Sequence, residues 1–175
     1  YHYAPLYLDR VEAVSKLAAA NDSLGDLVVV EALNDKYWKI RSNAISNLSS
    51  LEFANKEQLK TKVSEMAQRD EKAAVRAAAL KYLIKKFPGN EVMPVFEKAL
   101  NDSSYNVSGT ALAAIAKADK EKGLTYAEAI EKKGDMKTFG NVAEIYANNG
   151  GKERESFFAN NISRFTDPND KYEFI

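Results

Sequence analysis

Cysteine is absent from this sequence of 175 residues, and histidine occurs once, at His2. Disulfides, thiolate chemistry and Cys-ligated zinc are thereby excluded. A histidine-based metal site would have to rest on His2, and metal ligands come in sets. An excess of either charge is lacking as well, because 25 basic residues face 25 acidic ones. No net field draws the chain to a polyanion, so nucleic acid is not an expected partner. No apolar run approaches the ~18 residues of a membrane span, so neither is a membrane. A cysteine-free chain suits an oxidising or a reducing compartment alike, which leaves localisation open. The sequence starts at Tyr1 rather than Met and is expected to be a piece of a longer protein.

What the sequence does contain is repetition. The tetrapeptide ALND occurs at Ala32–Asp35 and again at Ala99–Asp102. Six residues after each aspartate stands a polar residue preceded by a β-branched one: Ile40-Arg41 and Val107-Ser108. Between the two copies, Asp70 leads in the same way to Val75-Arg76. Counting from Arg41, Arg76 and Ser108, the third residue on is Ala44, Ala79 and Ala111. The fourth is Ile45, Leu80 and Leu112, and the seventh Leu48, Leu83 and Ile115. Arg10 fits, with Ala13, Val14 and Leu17, and Asn141 fits loosely, with Asp135 six before, Ile145 four after and Glu144 in the small position. The register positions 10, 41, 76, 108 and 141 are spaced by 31, 35, 32 and 33 residues, inside the range of helical-repeat arrays.

Offsets of −1, +3, +4 and +7 share one face of an α-helix, here termed helix A of each unit. Between successive A helices lies a second amphipathic stretch, helix B. Its apolar sets are Leu24, Val28, Ala32 and Leu33; then Leu59, Val63, Met66 and Ala67; then Val92, Val95, Phe96, Ala99 and Leu100; and a weaker Leu124–Ile130. Pro88-Gly89 is expected to stop the third A helix with Asn90 as the next N-cap, Pro94 to sit in a first turn, and Asn148–Gly151 to end the fifth A helix. No window alternates with period two. The expected fold is all-α: an α-α superhelix, or solenoid, of about five helix pairs forming one domain over residues 1–175. ALND recurs because Ala and Leu finish the buried stripe of helix B, while Asn and Asp form the turn into helix A.

The motif Asp-x5-Arg-x2-Ala-x3-Leu on paired helices resembles the HEAT family of solenoid repeats, over most of residues 4–149. Ser108 and Asn141 depart from the family's arginine, so a continuous Asp–Arg ladder is not expected through the C-terminal half. The stretch Tyr3–Ala19, YAPLYLDRVEAVSKLAA, resembles the start of the C-terminal helical domain of bacterial zinc aminopeptidases of the M1 family. That resemblance implies a HEAT-like domain without chemistry of its own, packed on the catalytic domain of the same polypeptide and limiting peptide access. Zinc would belong to that other domain, held by His-Glu-x2-His, which this chain lacks; no catalytic, cofactor or metal residue carries over. The alternative is a HEAT scaffold for protein–protein interaction. A HEAT-like DNA glycosylase is a third reading, opposed by the absence of net positive charge.

Arg10, Arg41 and Arg76, with Asp35, Asp70 and Asp102, are read as structural repeat positions that pair with one another in preference to an anion-binding row. Tyr7, Tyr37, Trp38 and Tyr105 fall near the starts of A helices and are candidates either for wedges between repeats or for an interface, since Trp, Tyr and Arg dominate binding surfaces. The carboxylate pairs Asp70-Glu71 and Glu128-Glu131 read as solvated rather than catalytic. Gly150-Gly151 lacks the Lys-Ser/Thr of a phosphate loop. The aromatic tail from Phe157 and Phe158 through Phe165 to Tyr172–Ile175 is expected to cap the last repeat, the alternative being that it docks on another domain of the longer protein.

Overall fold

The computed structural model describes residues 6–20, 22–48, 56–134 and 138–164. The architecture is all-α, of the helical-repeat solenoid class, with no strand among the described residues. The helices alternate as the repeats require. The A helices are α1 (Tyr7–Ala20), α3 (Trp38–Leu48), α5 (Ala73–Lys86), α7 (Tyr105–Ala118) and α9 (Phe139–Asn149). The B helices are α2 (Ser23–Ala32), α4 (Lys56–Arg69), α6 (Met93–Ala99), α8 (Lys120–Lys133) and the short α10 (Glu155–Asn161). By their internal contacts the residues group into two compact units, Tyr1–Ala111 and Leu112–Ile175, divided within α7.

The first unit carries the repeat in its clearest form. Side by side, α1 packs on α3 and α3 on α5, while α2 covers α1 and α3, and α4 covers α5. Ile40, Ala44, Ile45, Leu48, Val75, Ala79, Leu80, Leu83, Val107 and Ala111 are all completely buried. They are the predicted offsets of three successive A helices. Alanine at one offset brings neighbouring backbones close, and the branched residues fill the space beside it at the density of a protein interior. In α1 the pattern is weaker: Val14 is fully buried, Ala13 and Leu17 are half-buried, and Asp9 is exposed. The sequence-predicted face of α4 is likewise the buried one.

Two B helices turn differently from expectation. In α2 the buried residues are Gly25, Val29 and Ala32, while Leu24 and Leu27 point to solvent with 69% and 66% exposure. The cause is the crossing of α2 over α1. A Cβ on Gly25 would lie 2.4 Å from the Leu17 carbonyl oxygen, so only glycine fits there. That contact faces Gly25 inward and its neighbour Leu24 outward. Asp22 caps this helix, its Oδ1 accepting the Gly25 N–H at 2.7 Å. In the second unit α8 follows the same plan: Asp119 Oδ1 accepts the Lys122 N–H at 3.0 Å, and Gly123 faces Ala116, where a Cβ would approach to 2.5 Å. Gly123 and Ala127 are the buried residues of α8, which explains why its apolar stripe is hard to see.

Further differences concern ends and register. Asn90 opens a 3-10 turn, Asn90–Val92, that precedes α6, and the capping position is Gly89. Pro94 lies in the first turn of α6. The buried set of α9 is Val142, Ala143, Ile145 and Tyr146, preceded by buried Thr138 at the N-cap. The template offsets therefore centre on Phe139 rather than on Asn141, with Thr138 before it and Val142, Ala143 and Tyr146 after. Glu144, assigned to the small position by the Asn141 register, is exposed. Phe157 of α10 is buried against Tyr146 (ring centroids 4.9 Å), Phe139 (5.4 Å) and Phe158 (5.2 Å), so this part of the tail covers the apolar side of α9. Asp135 and the tail from Phe165 onward lie outside the described residues, as does His2.

Candidate functional site: the arginine–aspartate rungs and the groove between α1 and α3

Each rung is built by the turn that precedes an A helix. Asp35, Asp70 and Asp102 use one carboxylate oxygen to accept the backbone N–H two residues on, from Tyr37 (2.8 Å), Lys72 (2.9 Å) and Ser104 (2.8 Å). The same carboxylates receive an arginine of the preceding repeat. Arg41 grips Asp70 with Nε and Nη2 at 2.7 and 2.8 Å, and Arg76 grips Asp102 at 2.7 Å through both. The remaining Nη1 donates back to the turn of its own repeat, from Arg41 to the Asp35 carbonyl at 2.9 Å and from Arg76 to the Asp70 carbonyl at 2.8 Å. Arg10 meets Asp35 more loosely, with Nε 3.4 Å from Oδ2 and Nη2 3.5 Å from Oδ1.

Planar, bidentate forks of this kind are among the strongest polar contacts available to side chains. Hydrogen bonding to the aspartate raises Arg41 and Arg76 above the ordinary guanidinium value. Arg76, aided by the Ser104 N–H and opposed by burial, holds the Asp102 carboxyl below the usual range. The Nε–Nη2 forks of Arg41 and Arg76 are thus taken up within the protein, which favours a structural role for this row of arginines over an anion-binding one. At the next register position Ser108 Oγ donates to the Tyr105 carbonyl in its own turn, at 3.4 Å, and to no aspartate among the described residues.

Of the aromatic candidates, the structure brings three together. Tyr7 lies against Tyr37, ring centroids 4.5 Å apart, and Tyr37 against Trp38 at 6.2 Å. Tyr105 opens α7 with 45% exposure and does not line the same site. Between α1 and α3 runs a groove of about 300 Å³, lined by Tyr7, Leu8, Val11, Trp38, Lys39, Ser42, Asn43 and Ser46. Leu8 is 62% exposed. The Lys39 ammonium sits over two rings, 5.2 Å from the Tyr7 centroid and 5.7 Å from that of Trp38. On the groove floor Asn43 Oδ1 accepts from Ser15 Oγ at 3.3 Å and from Asn47 Nδ2 at 3.1 Å. Lys39, Ser42, Asn43 and Ser46 were not sequence candidates. Their spacing sets them on one face of α3, opposite the buried stripe, and a polar helix face beside a Tyr-Trp pair is the signal that points to them.

A second groove, of about 470 Å³, lies between α4 and α6. Its charges are already matched internally: Lys60 pairs with Glu57 at 2.6 Å and approaches Glu91 at 4.0 Å, and Arg69 approaches Glu65 at 3.8 Å. The carboxylate pairs of the sequence are also engaged. Asp70 is held by Arg41, and Glu71 lies 3.7 Å from Arg41. Glu128 pairs with Arg154, and Glu131 accepts the Tyr146 hydroxyl at 2.6 Å. Burial, with that acceptor beside it, pushes the Tyr146 phenol upward. Gly150 and Gly151 close α9 against Arg154 and Glu153 side chains. Among the described residues no three His, Cys, Asp or Glu side chains are placed to share a metal ion, and no helix is long and apolar enough to cross a membrane.

The sequence profile of HEAT repeats matches residues 26–116, just over half of the chain. The chain belongs to the HEAT-repeat family. The match covers the two well-formed Arg–Asp rungs and ends at Ala116, within α7, five residues past the division between the two units. No curated protein matches the sequence. The HEAT assignment therefore fixes a helical-repeat scaffold.

Proposed function

We propose that this chain is a non-catalytic HEAT scaffold that holds another protein against the groove between α1 and α3. One observation supports the reading: an open groove walled by half-buried Tyr7 and Trp38 and by exposed Leu8, on helices whose backbones are fixed by a buried core. Aromatic anchors on a rigid frame bind with little loss of side-chain freedom, and Trp and Tyr are enriched among residues that dominate interface energies. A photo-crosslinking residue at Ser46, in the groove, is expected to capture a discrete partner in the cells that make this protein, whereas one at Ser64, on α4, is not. Leu8→Ser should abolish the Ser46 adduct. Equal capture at both positions, or none at either, overturns the reading.

The aminopeptidase reading is a second proposal, and one feature favours it. The stretch Tyr3–Ala19 that resembles the M1 helical domain supplies Tyr7, Leu8 and Val11, one wall of the groove. The partner would then be the catalytic domain of the same polypeptide. A reading frame without His-Glu-x2-His upstream of Tyr1 removes this proposal. With that motif present, a parent protein showing no chelator-sensitive release of N-terminal amino acids removes it too.

A further inference from the structure

We propose that the groove between α1 and α3 docks a short peptide segment in which an aliphatic or aromatic side chain stands next to an aspartate or glutamate. The inference rests on the scaffold reading and adds the chemistry of the partner. Of the two grooves described above, the one between α4 and α6 neutralises its own cations, with Glu57, Glu65 and Glu91 beside Lys60 and Arg69. The one between α1 and α3 contains a cation and no carboxylate. Lys39 makes no ion pair among the described residues, and its ammonium is held over the faces of Tyr7 and Trp38. A ring face satisfies an ammonium by its quadrupole but accepts no conventional hydrogen bond, so donors remain for a carboxylate.

The rest of the groove completes a peptide site. Tyr7, Leu8, Val11 and Trp38 offer apolar wall for one side chain next to that charge. Asn43 spends its oxygen on Ser15 and Asn47, and its Nδ2 is left as a donor with no partner among the described residues. A backbone carbonyl of an extended segment is the acceptor that suits it. A basic segment would set its charge against Lys39, and a wholly apolar one would bury that ammonium without a counter-charge, a costly arrangement.

The test is selection of peptides from a random display library on the purified chain, followed by titration of the enriched peptides. Trp38 is the only tryptophan in the sequence, so its emission reports occupancy of this groove directly. Enriched peptides are expected to carry Asp or Glu beside Leu, Ile, Phe or Trp and to shift Trp38 emission. Replacing their acidic residue by its amide, or introducing Lys39→Gln, should weaken binding about tenfold, the scale of one charge-assisted hydrogen bond. Lys39 and Leu8 are exposed, so Lys39→Gln and Leu8→Ser test the site without touching the core. Peptides lost with Leu8→Ser but indifferent to Lys39→Gln and free of acidic residues overturn the partner chemistry and leave the scaffold reading standing. Peptides indifferent to both variants, or no enrichment at all, overturn the groove as a docking site, and the Ser46 crosslink then decides whether any scaffold role survives.

Discussion

The two compact units solve the same problem of holding helix pairs in line by different means. In the first, one device is copied: an aspartate that shapes its own turn and receives the arginine of the repeat before it, at Asp35, Asp70 and Asp102. In the second, no such copy is present among the described residues. There α8, α9 and α10 are tied by single-use contacts, with Tyr146 on Glu131, Arg154 on Glu128, and Phe157 wedged among Phe139, Tyr146 and Phe158. A repeated polar fork sets a spacing and can be extended indefinitely. An aromatic wedge sets no spacing and serves to finish a stack, whose last apolar face needs cover.

The largest expected effect breaks the wedge. Phe157→Ala should cost about 3–5 kcal/mol in the second unit, through lost burial and the cavity left behind. Native-state hydrogen exchange should show protection falling in α8–α10 and persisting in α3 and α5. A uniform loss would mean that the wedge is not local to its unit. Next comes the fork. Arg41→Ala leaves the Asp70 carboxylate buried and without its guanidinium, at a cost of about 3 kcal/mol by chemical denaturation. The double variant Arg41→Met/Asp70→Leu should recover most of that loss, and if it does not, the pair contributes more than mutual neutralisation.

Gly25→Ala is expected to cost about 1–3 kcal/mol, because the new methyl meets a backbone carbonyl that cannot swing aside. Unchanged stability would show that α2 can ride higher over α1 than the structure implies. The smallest effect is in pH. The Asp102 carboxyl lies below its ordinary value in the folded chain, so its contribution is fully present above about pH 4, the unfolded value, and is lost as pH falls through the folded one. Asp102→Asn should therefore lower stability at neutral pH and flatten the acid limb of a stability–pH curve. An unchanged acid limb would show that the fork is not felt by folding.

The sequence made the A helices legible because their inward positions carry large apolar residues at fixed offsets, as Ile40, Ile45 and Leu48 do. The forks were half legible: Asp and Arg recur six residues apart, which marks both as repeat positions, but that spacing does not decide that Arg41 and Arg76 grip the aspartate of the next repeat, Asp70 and Asp102, and not the one in their own turn. The faces of α2 and α8 were not. Their inward positions are Gly25 and Gly123, chosen for close approach rather than hydrophobicity, and a search for apolar stripes settles instead on Leu24 and Val28. The α9 register slipped because Tyr146 fills a position that earlier repeats give to Leu or Ile, and because Thr138 occupies the β-branched site without looking apolar. The candidate groove was half legible: Tyr7 and Trp38 stood out by type, whereas Lys39 and Asn43 gain meaning only from what α1 lays beside them.

The double duty of each rung aspartate also dictates where this scaffold tolerates change in length. An insertion between Asp35 and Arg41, or between Asp70 and Arg76, would pull a carboxylate away from a turn and from a neighbouring repeat at once. The connections from A helix to B helix differ in length: Asp119 alone separates α7 from α8, while residues 49–55 separate α3 from α4. Lineages of this chain should accumulate insertions, and an engineer should graft loops, in the connection between α3 and α4, while the turns from Asp35 to Arg41 and from Asp70 to Arg76 keep their length.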